Sequence, residues 1–276
     1  MSSPRERIGL IAGTGSLAVE FARGARENGY EIVAVALSPG ACEFPENIVT
    51  TSIQVSPAQP KKILAFLKTE GVRRVGFAGK VEKNLLFQGL KFDLEALRFI
   101  YRAKNMADVT IMDAIIEFAE KNDLEIIPQT EFLGHLLAPE GTLGKKNLND
   151  SDLDEVRYAF RMAREVARLD IGQTIVVKKG AVIAVEAIEG TDETIRRGCA
   201  LAGKEAIVCK VARPDQDPRY DIPAVGPGTL QAAREGGASA LIVEAGATFL
   251  VDKDTLVRDA DAAGIILAGW RSDEEK

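Results

Sequence analysis

Short β-rich runs alternate with amphipathic helices from the N-terminus onward, and that alternation leaves few folds open to the chain. Residues 7–11 read as a buried strand and Gly13-Thr14-Gly15-Ser16 as a turn. Residues 17–28 then read as a helix, with Val19, Ala22 and Ala25 inward, Arg23, Arg26 and Glu27 outward, and Gly29 at its end. Residues 32–37 and 48–55 are the next strands. Ser56 and Pro57 are expected to open a helix that runs to residue 70 and stops at Gly71. Residues 72–78 form another strand ending at Gly79-Lys80. Helices over 94–104 and 112–121 and a strand over 125–127 follow. Strands separated by helices pair in parallel through right-handed crossovers. Residues 1–138 are therefore expected to be a Rossmann-like, parallel-sheet domain.

The pattern changes after that. Residues 139–150 combine Pro, Gly, Asn and charge and read as a linker. A helix over 151–169 is expected, capped by Ser151, with Leu153, Val156, Phe160, Ala163 and Ala167 as its apolar stripe. Residues 173–177 and 181–188 flank Lys178-Lys179-Gly180 and read as a hairpin rather than a crossover. A helix from Thr191, a strand over 206–211 and a Pro-rich loop over 213–228 come next. Helix, strand, turn, strand, helix and strand close the chain. The expected fold class is α/β: a Rossmann-like domain, the 139–150 linker, and a mixed α/β catalytic domain of non-standard topology over 151–276.

Scarce residues narrow the chemistry. The 276 residues include one histidine, His135, and three cysteines, Cys42, Cys199 and Cys209. One histidine cannot build a two-histidine metal centre, and no Cys-x-x-Cys pair offers a zinc site. Unpaired cysteines fit a reducing compartment, where they serve as small buried hydrophobes. Any metal must then be held by carboxylates, which points to Mg²⁺, or Mn²⁺ in its place. Net charge is −6 and the pI is about 5.2, with no Lys/Arg run, so nucleic acid is not an expected partner. No 18-residue apolar stretch occurs, which makes a cytoplasmic location the expectation and leaves a surface contact with membrane open.

Several motifs carry chemistry. Gly13-Thr14-Gly15-Ser16-Leu17-Ala18 fits Gly-x-Gly-x-x-Ala between strand and helix, where backbone can approach a phosphate. The dinucleotide form needs an acid at the end of the second strand; here Leu37-Ser38 stand there and the nearest acid is Glu43. A phosphate contact, plain strand-to-helix packing and NAD(P) binding all remain readings of this turn. Lys80 and Lys83 follow the carboxyl end of a strand, where open α/β sheets bind ligands. Glu186, flanked by Val185 and Ala187, needs a partner or a task. Strict alternation would put Glu186 and Glu189 on opposite faces. Asp192 and Glu193 suit a helix N-terminus, and pairing with Arg196 and Arg197 is an ordinary alternative to function. Lys210 ends a strand, with Arg213 just beyond. Asp215, Asp217 and Asp221 precede a glycine-rich helix entry over 225–229, an arrangement suited to Mg²⁺ against phosphate, or to a solvated loop with Asx turns. His135 reads as a core or interface residue, and Cys199 and Cys209 as core.

Together these blocks resemble one family. They are the Gly9-to-Gly15 start, Leu136-Leu137-Ala138-Pro139-x-Gly141, Asp170-Ile171-Gly172-Gln173, the string from Ala184 to Asp192, Asp217-x-Arg219-Tyr220-Asp221-x-Pro223-x-Val225-Gly226, and Val243-Glu244-Ala245-Gly246. The chain is similar over nearly its whole length to the UDP-2,3-diacylglucosamine pyrophosphatases of lipid A biosynthesis, in the form unrelated to calcineurin-like enzymes. Ala18 stands where that pattern has Pro, and Lys83 where it has Arg. The resemblance implies Mg²⁺-assisted attack of water on the β-phosphorus, giving UMP and 2,3-diacylglucosamine 1-phosphate. It implies Asp221 as the key aspartate. Glu186, Glu189 and Asp192 are expected beside it as supporting acids, and Asp221 with Glu189 as metal ligands. Gly13, Thr14, Gly15, Ser16, Lys80, Gln173, Thr191, Arg196 and Lys210 form the expected substrate-binding set. The expected partners are the lipid-linked UDP-sugar, the cytoplasmic face of the inner membrane and a second copy of the chain. An NAD(P)-dependent oxidoreductase, or a non-catalytic protein binding a nucleotide-sugar or lipid, would suit the same motifs.

Overall fold

A computed structural model describes residues 5–81 and 108–271. The expected 94–104 helix and Lys83 lie outside them. The chain divides into two compact units: Met1–His135 with Pro218–Tyr220, and Leu136–Asp217 with Asp221–Lys276.

The first unit is a doubly covered parallel sheet. Strands β1 (Arg7–Ala12), β2 (Glu31–Ala36), β3 (Thr51–Gln54), β4 (Arg74–Ala78) and β5 (Glu125–Ile126) run in the order β3-β2-β1-β4-β5, and every pairing is parallel. Strands β1 and β2 are apolar almost throughout because they are buried on both faces. Helix α1 (Ser16–Glu27) covers one face, where Phe21 meets Phe132 edge to face at 5.2 Å. Helices α2 (Pro60–Thr69) and α3 (Asp108–Glu120) supply Leu67, Ile116 and Ala119 to the cluster on the other face, around Val33, Val35 and Val75. The second helix starts three residues later than Pro57, with Pro60 in its first turn, because Ser56 Oγ instead accepts the Ala58 N–H in a local turn. The one-turn helix α4 (Thr130–Leu133) buries Phe132 and Leu133, and the 3₁₀ turn Gly134–Leu136 buries Leu136. His135 is exposed on that turn, so it is not a core residue.

The second unit is built on a six-stranded mixed sheet. Its strands are β6 (Gly141–Thr142), β7 (Thr174–Lys178), β8 (Ala181–Val185), β9 (Ile207–Lys210), β11 (Ala240–Glu244) and β13 (Ile266–Trp270). Their order is β6-β13-β11-β9-β7-β8. Strands β9, β11 and β13 are parallel, β7 is antiparallel to β9, and β8 is antiparallel to β7. A separate parallel pair joins β10 (Ala224–Val225) to β12 (Phe249–Leu250). Residues 139–150 do not form a bare linker: β6 lies within them and pairs antiparallel with β13.

The faces of this sheet follow from strand alternation. Val208, Leu241 and Val243 face helices α6 (Thr191–Ala202), α7 (Pro227–Gly236) and α8 (Lys253–Ala263), which supply Ile195, Leu230 and Leu256. Ile207, Cys209 and Ile242 face α5 (Asp150–Arg168), whose Val156, Ala159, Phe160 and Ala163 form the stripe read from sequence. The cap of α5 is Asn149 rather than Ser151. Its side chain accepts from Asp152 N–H while Asp152 returns a bond to Asn149 N–H, a capping box. The β7–β8 turn places Lys179 at φ 50° and Gly180 at φ 70°, as a two-residue hairpin requires. Strand β8 ends at Val185, so the alternation expected through residue 188 stops before Glu186.

Candidate functional site

One edge of the second sheet gathers the chemistry. Parallel strands β9, β11 and β13 end there with Lys210, Glu244 and Trp270. Strand β8 points the same way and delivers Glu186 one residue past its end. Strand β7 runs the other way, so its first residue Thr174 pairs with Lys210, the last of β9. Carboxyl edges of open α/β sheets are where ligands bind.

Lys210 is the centre of this edge. The residue is 8% exposed, and its Nζ donates to Thr191 Oγ1 at 2.8 Å. A lysine ammonium only donates, so the Thr191 hydroxyl passes its own proton on, to Glu186 Oε1 at 2.8 Å. The other Glu186 oxygen accepts the Gln173 N–H at 3.3 Å. Glu186 N–H in turn donates to Thr174 C=O at 2.8 Å. Gly172 makes this contact possible, because a Cβ on it would stand 2.1 Å from the Glu186 carbonyl oxygen. Burial pulls the Lys210 pKa below the ordinary lysine value, and Glu186, Asp192 and Asp221 pull it back up.

Two helix N-termini meet beside this lysine. Helices α6 and α7 begin at Gly190 and Gly226, neither of which has a side chain to cap the first turn. They run side by side: a Cβ on Gly228 would lie 3.6 Å from Asp192 Oδ2, and one on Gly236 would lie 2.3 Å from Cys199 Cβ. The first-turn N–H groups have no intrahelical acceptors, so the two positive dipole ends face the same place. With Lys210 they form a setting for phosphate charge.

The loop after β9 holds Asp221. Arg213 pairs with its carboxylate and also with Asp170 at 2.9 Å. Gln216 donates from Nε2 to the Asp221 carbonyl, while its Oε1 accepts the Arg213 N–H at 2.8 Å and Gln173 Nε2 at 3.0 Å. Asp221 N–H donates to Asp217 C=O at 3.0 Å. The loop is therefore tied by side chains rather than merely solvated.

The structure brings Gln173, Glu186, Thr191, Asp192, Lys210 and Asp221 into this arrangement. It does not bring Glu189 or Arg196. Glu189 lies past the strand end, pairs with Arg197 at 2.5 Å and accepts from Thr194 at 3.2 Å. Its own backbone N–H and then Arg197 hold its carboxyl below the usual range. Arg196 spans Glu193 at 2.6 Å and Glu235 at 3.3 Å, a helix-surface bridge between α6 and α7. In the first unit, Gly13 and Thr14 spend their N–H groups on Ala78 and Lys80 carbonyls, at 2.9 and 2.8 Å. Lys80 N–H donates back to Thr14 C=O at 2.8 Å. A Cβ on Gly13 would sit 2.5 Å from the Lys80 oxygen, so this glycine serves turn-to-turn packing. Gly15 is the N-cap of α1 and Ser16 its first residue, and Lys80 is exposed beside that turn. Cys199 and Cys209 are buried, as expected.

Sequence reasoning quoted Glu244 only within a family-like block, with no role of its own, and underrated Gln216 and Arg213. Glu244 breaks an apolar strand as Glu186 follows one, and that signal could have found it. As for a metal, among the described residues no group of three or more His, Cys, Asp or Glu side chains is placed to hold one. An all-protein cage therefore does not fit. Mg²⁺ commonly takes one or two carboxylates with phosphate oxygens and waters, and Asp221, in the group with Asp192, suits that mode. Glu189 does not.

Two α/β units in one chain, the second with a buried lysine at the carboxyl edge of its sheet, define a two-unit class of α/β protein. Residues 7–136 match the LpxI N-terminal domain and residues 139–268 the LpxI C-terminal domain. The chain is 32% identical over 278 aligned positions to the Caulobacter vibrioides protein named UDP-2,3-diacylglucosamine pyrophosphatase LpxI, covering 95% of this chain and 97% of that one. The chain belongs to the LpxI family. Solved structures give weaker likenesses. The biotin carboxylase domain of Hydrogenobacter thermophilus 2-oxoglutarate carboxylase is 12% identical, over 65% of this chain and 36% of its own, with a TM-score of 0.29. N5-carboxyaminoimidazole ribonucleotide synthetase from Thermotoga maritima is 14% identical, over 67% and 42%, with a TM-score of 0.25. The chain spans less than half the length of either, and neither bears on its function.

Proposed function

We propose that this chain hydrolyses the pyrophosphate bond of UDP-2,3-diacylglucosamine, giving UMP and 2,3-diacylglucosamine 1-phosphate, a step of lipid A biosynthesis. The observation that carries the reading is the buried Lys210 ammonium, held by Thr191 beside the uncapped start of α6 and acted on by the charges of Glu186, Asp192 and Asp221. Family membership supports it.

Splitting a phosphoric anhydride needs charge stabilisation and an oriented water more than covalent chemistry. Lys210 and the first-turn N–H groups of α6 and α7 would face the charge gathering on the phosphoryl oxygens. Asp221 would accept a hydrogen bond from the attacking water and draw its proton. The bond between the β-phosphorus and the bridging oxygen breaks, and UMP leaves as a weakly basic phosphate that needs no protonation. Mg²⁺ would be held by Asp221 with pyrophosphate oxygens, and when bound it neutralises phosphate charge. Thr191, Glu186 and Gln173 keep Lys210 in place. Among the described residues no helix is long and apolar enough to cross a membrane. Access to a lipid-linked substrate would then come from peripheral contact with the cytoplasmic face of the inner membrane.

The test is turnover of UDP-2,3-diacylglucosamine in H₂¹⁸O, with and without Mg²⁺, read by mass spectrometry. UMP should appear only with the cation, and the label should enter the lipid phosphate. Label in UMP would move the attack to the other phosphorus, and no UMP under either condition would end the proposal.

A further inference from the structure

Glu244 is a buried carboxylate that the reaction above does not use. It ends β11 at the carboxyl edge and is 5% exposed. Each of its oxygens has a separate partner. Oε1 takes the Arg164 guanidinium from α5, and Oε2 accepts the Ala212 N–H at 2.8 Å.

Ala212 lies where the chain leaves the sheet. One residue earlier, Val211 N–H donates to Gln173 C=O at 2.9 Å, the last tie to β7. One residue later, Arg213 holds the Asp221 carboxylate. The Arg213 N–H goes to Gln216, which holds the Asp221 carbonyl. Contact therefore runs from the end of β11, through Glu244 and the Ala212 amide, into the clamp on Asp221. A carboxylate closing the run Ala240-Leu241-Ile242-Val243 is costly to desolvate, and an apolar residue there would pack more cheaply. What only an acceptor can do at that position is satisfy the buried Ala212 amide.

We propose that Glu244 is a positioning residue: through its bond to the Ala212 amide it sets the exit of the 212–221 loop and so the placement of Asp221, with Arg164 as the counter-ion that lets the carboxylate stay buried. The proposal rests on the reaction assigned above. Its signature is an unusual order among variants. Glu244→Gln keeps an oxygen for Ala212 and loses the charge. Glu244→Asp keeps the charge and withdraws the oxygen by one methylene. Glu244→Leu loses both.

The experiment is steady-state UMP release from UDP-2,3-diacylglucosamine, with a thermal melt of each variant. Misplacing a reacting group by a fraction of an ångström to an ångström costs up to about a hundredfold, so kcat should fall roughly ten- to a hundredfold in E244L and E244D while KM stays within about twofold. E244Q should stay within about threefold of wild type in kcat. If E244L does not fold, the comparison of E244D with E244Q decides the matter. E244Q as impaired as E244D, or E244D at full kcat, would overturn the positioning role while leaving the reaction intact. A wild-type chain that releases no UMP overturns the reaction beneath it instead.

Discussion

Replacing Lys210 by Met separates a lysine that works from one that merely holds the fold. Met keeps the length of the stem and removes the charge. Thr191 still donates to Glu186, Gln173 N–H still reaches Glu186, and Asp221 keeps Arg213, so these two acids keep their partners and only Asp192 loses a nearby cation. Loss of one preorganised donor facing transition-state charge costs about 2.7–4 kcal/mol, or roughly 10²–10³ in kcat. Stability should move the other way. Burial already pulls the Lys210 pKa below its ordinary 10.5, so the folded state disfavours this charge on balance. Replacing a whole buried ion pair by apolar groups is commonly neutral or stabilising by about 1–4 kcal/mol, and K210M approaches that case because Glu186 and Asp221 keep other partners. Between the depressed folded pKa and 10.5 the unfolded chain binds more protons than the folded one, so wild-type stability climbs with pH in that window. Below the window the full cost of burying the charge is present. K210M lacks that cost, so its Tm advantage should be largest near neutral pH and shrink as pH approaches 10.5. Kinetics of UMP release and thermal melts across pH test both halves. A K210M chain that keeps kcat within about tenfold of wild type while melting several degrees lower would refute the reasoning, since it would make the lysine structural.

Thr191→Val should cut kcat/KM about ten- to a hundredfold, because it removes a hydroxyl bonded to two charged partners, each such bond being worth about 1.5–3 kcal/mol; Thr191→Ser should restore most of the loss. Gly172→Ala should lower both melting temperature and activity, since its Cβ would stand 2.1 Å from the Glu186 carbonyl oxygen and backbone must move, at about 1–3 kcal/mol or more. Asn149→Ala should cost about 1 kcal/mol of stability by breaking the α5 capping box, with kcat unchanged; a fall in kcat would mean that α5 is coupled to the site more tightly than its cap implies.

Much of the fold was legible because its signals are local. Apolar runs of strand length, glycine stops and helical stripes lie within a dozen residues of one another, and Val156, Phe160 and Ala163 fell where their spacing put them. Boundaries were less legible where two local chemistries compete. Ser151 and Asn149 both suit a cap, and reciprocal bonding with Asp152 decides for Asn149. Ser56 suits a cap as well as a turn, and the turn wins. The site was legible one residue at a time: Glu186 stood out as a charge inside an apolar run and Lys210 as a charge at the end of an apolar strand. Which charges share a site was not legible. Arg196 and Arg197 are neighbours four residues from two acids, yet Arg196 bridges two helices while Arg197 reaches back to Glu189 and the Val185 carbonyl. Helix rotation, set by the packing of Ile195 and Cys199, makes that choice.

The reversal of β7 is the step that assembles the site, and it is a property of pairing rather than of any motif. Thr174 opens its strand and Lys210 closes its own, and they are opposite one another only because the strands run in opposite directions. Were β7 parallel to β9, the five residues of β7 would carry Gln173 and Thr174 to the far edge of the sheet, about 13–16 Å away at roughly 3.3 Å per residue. Glu186 would then lose the Gln173 amide, and Thr191 its neighbour Thr174. The hairpin at Lys179-Gly180 is what turns β8 back, so that Glu186 leaves the sheet at the edge where Lys210 ends. A two-residue turn some five residues from the chemistry thus fixes which carboxylate the buried lysine meets, and lengthening that turn by one residue would shift the register of β8 and displace the strand end from which Glu186 leaves the sheet.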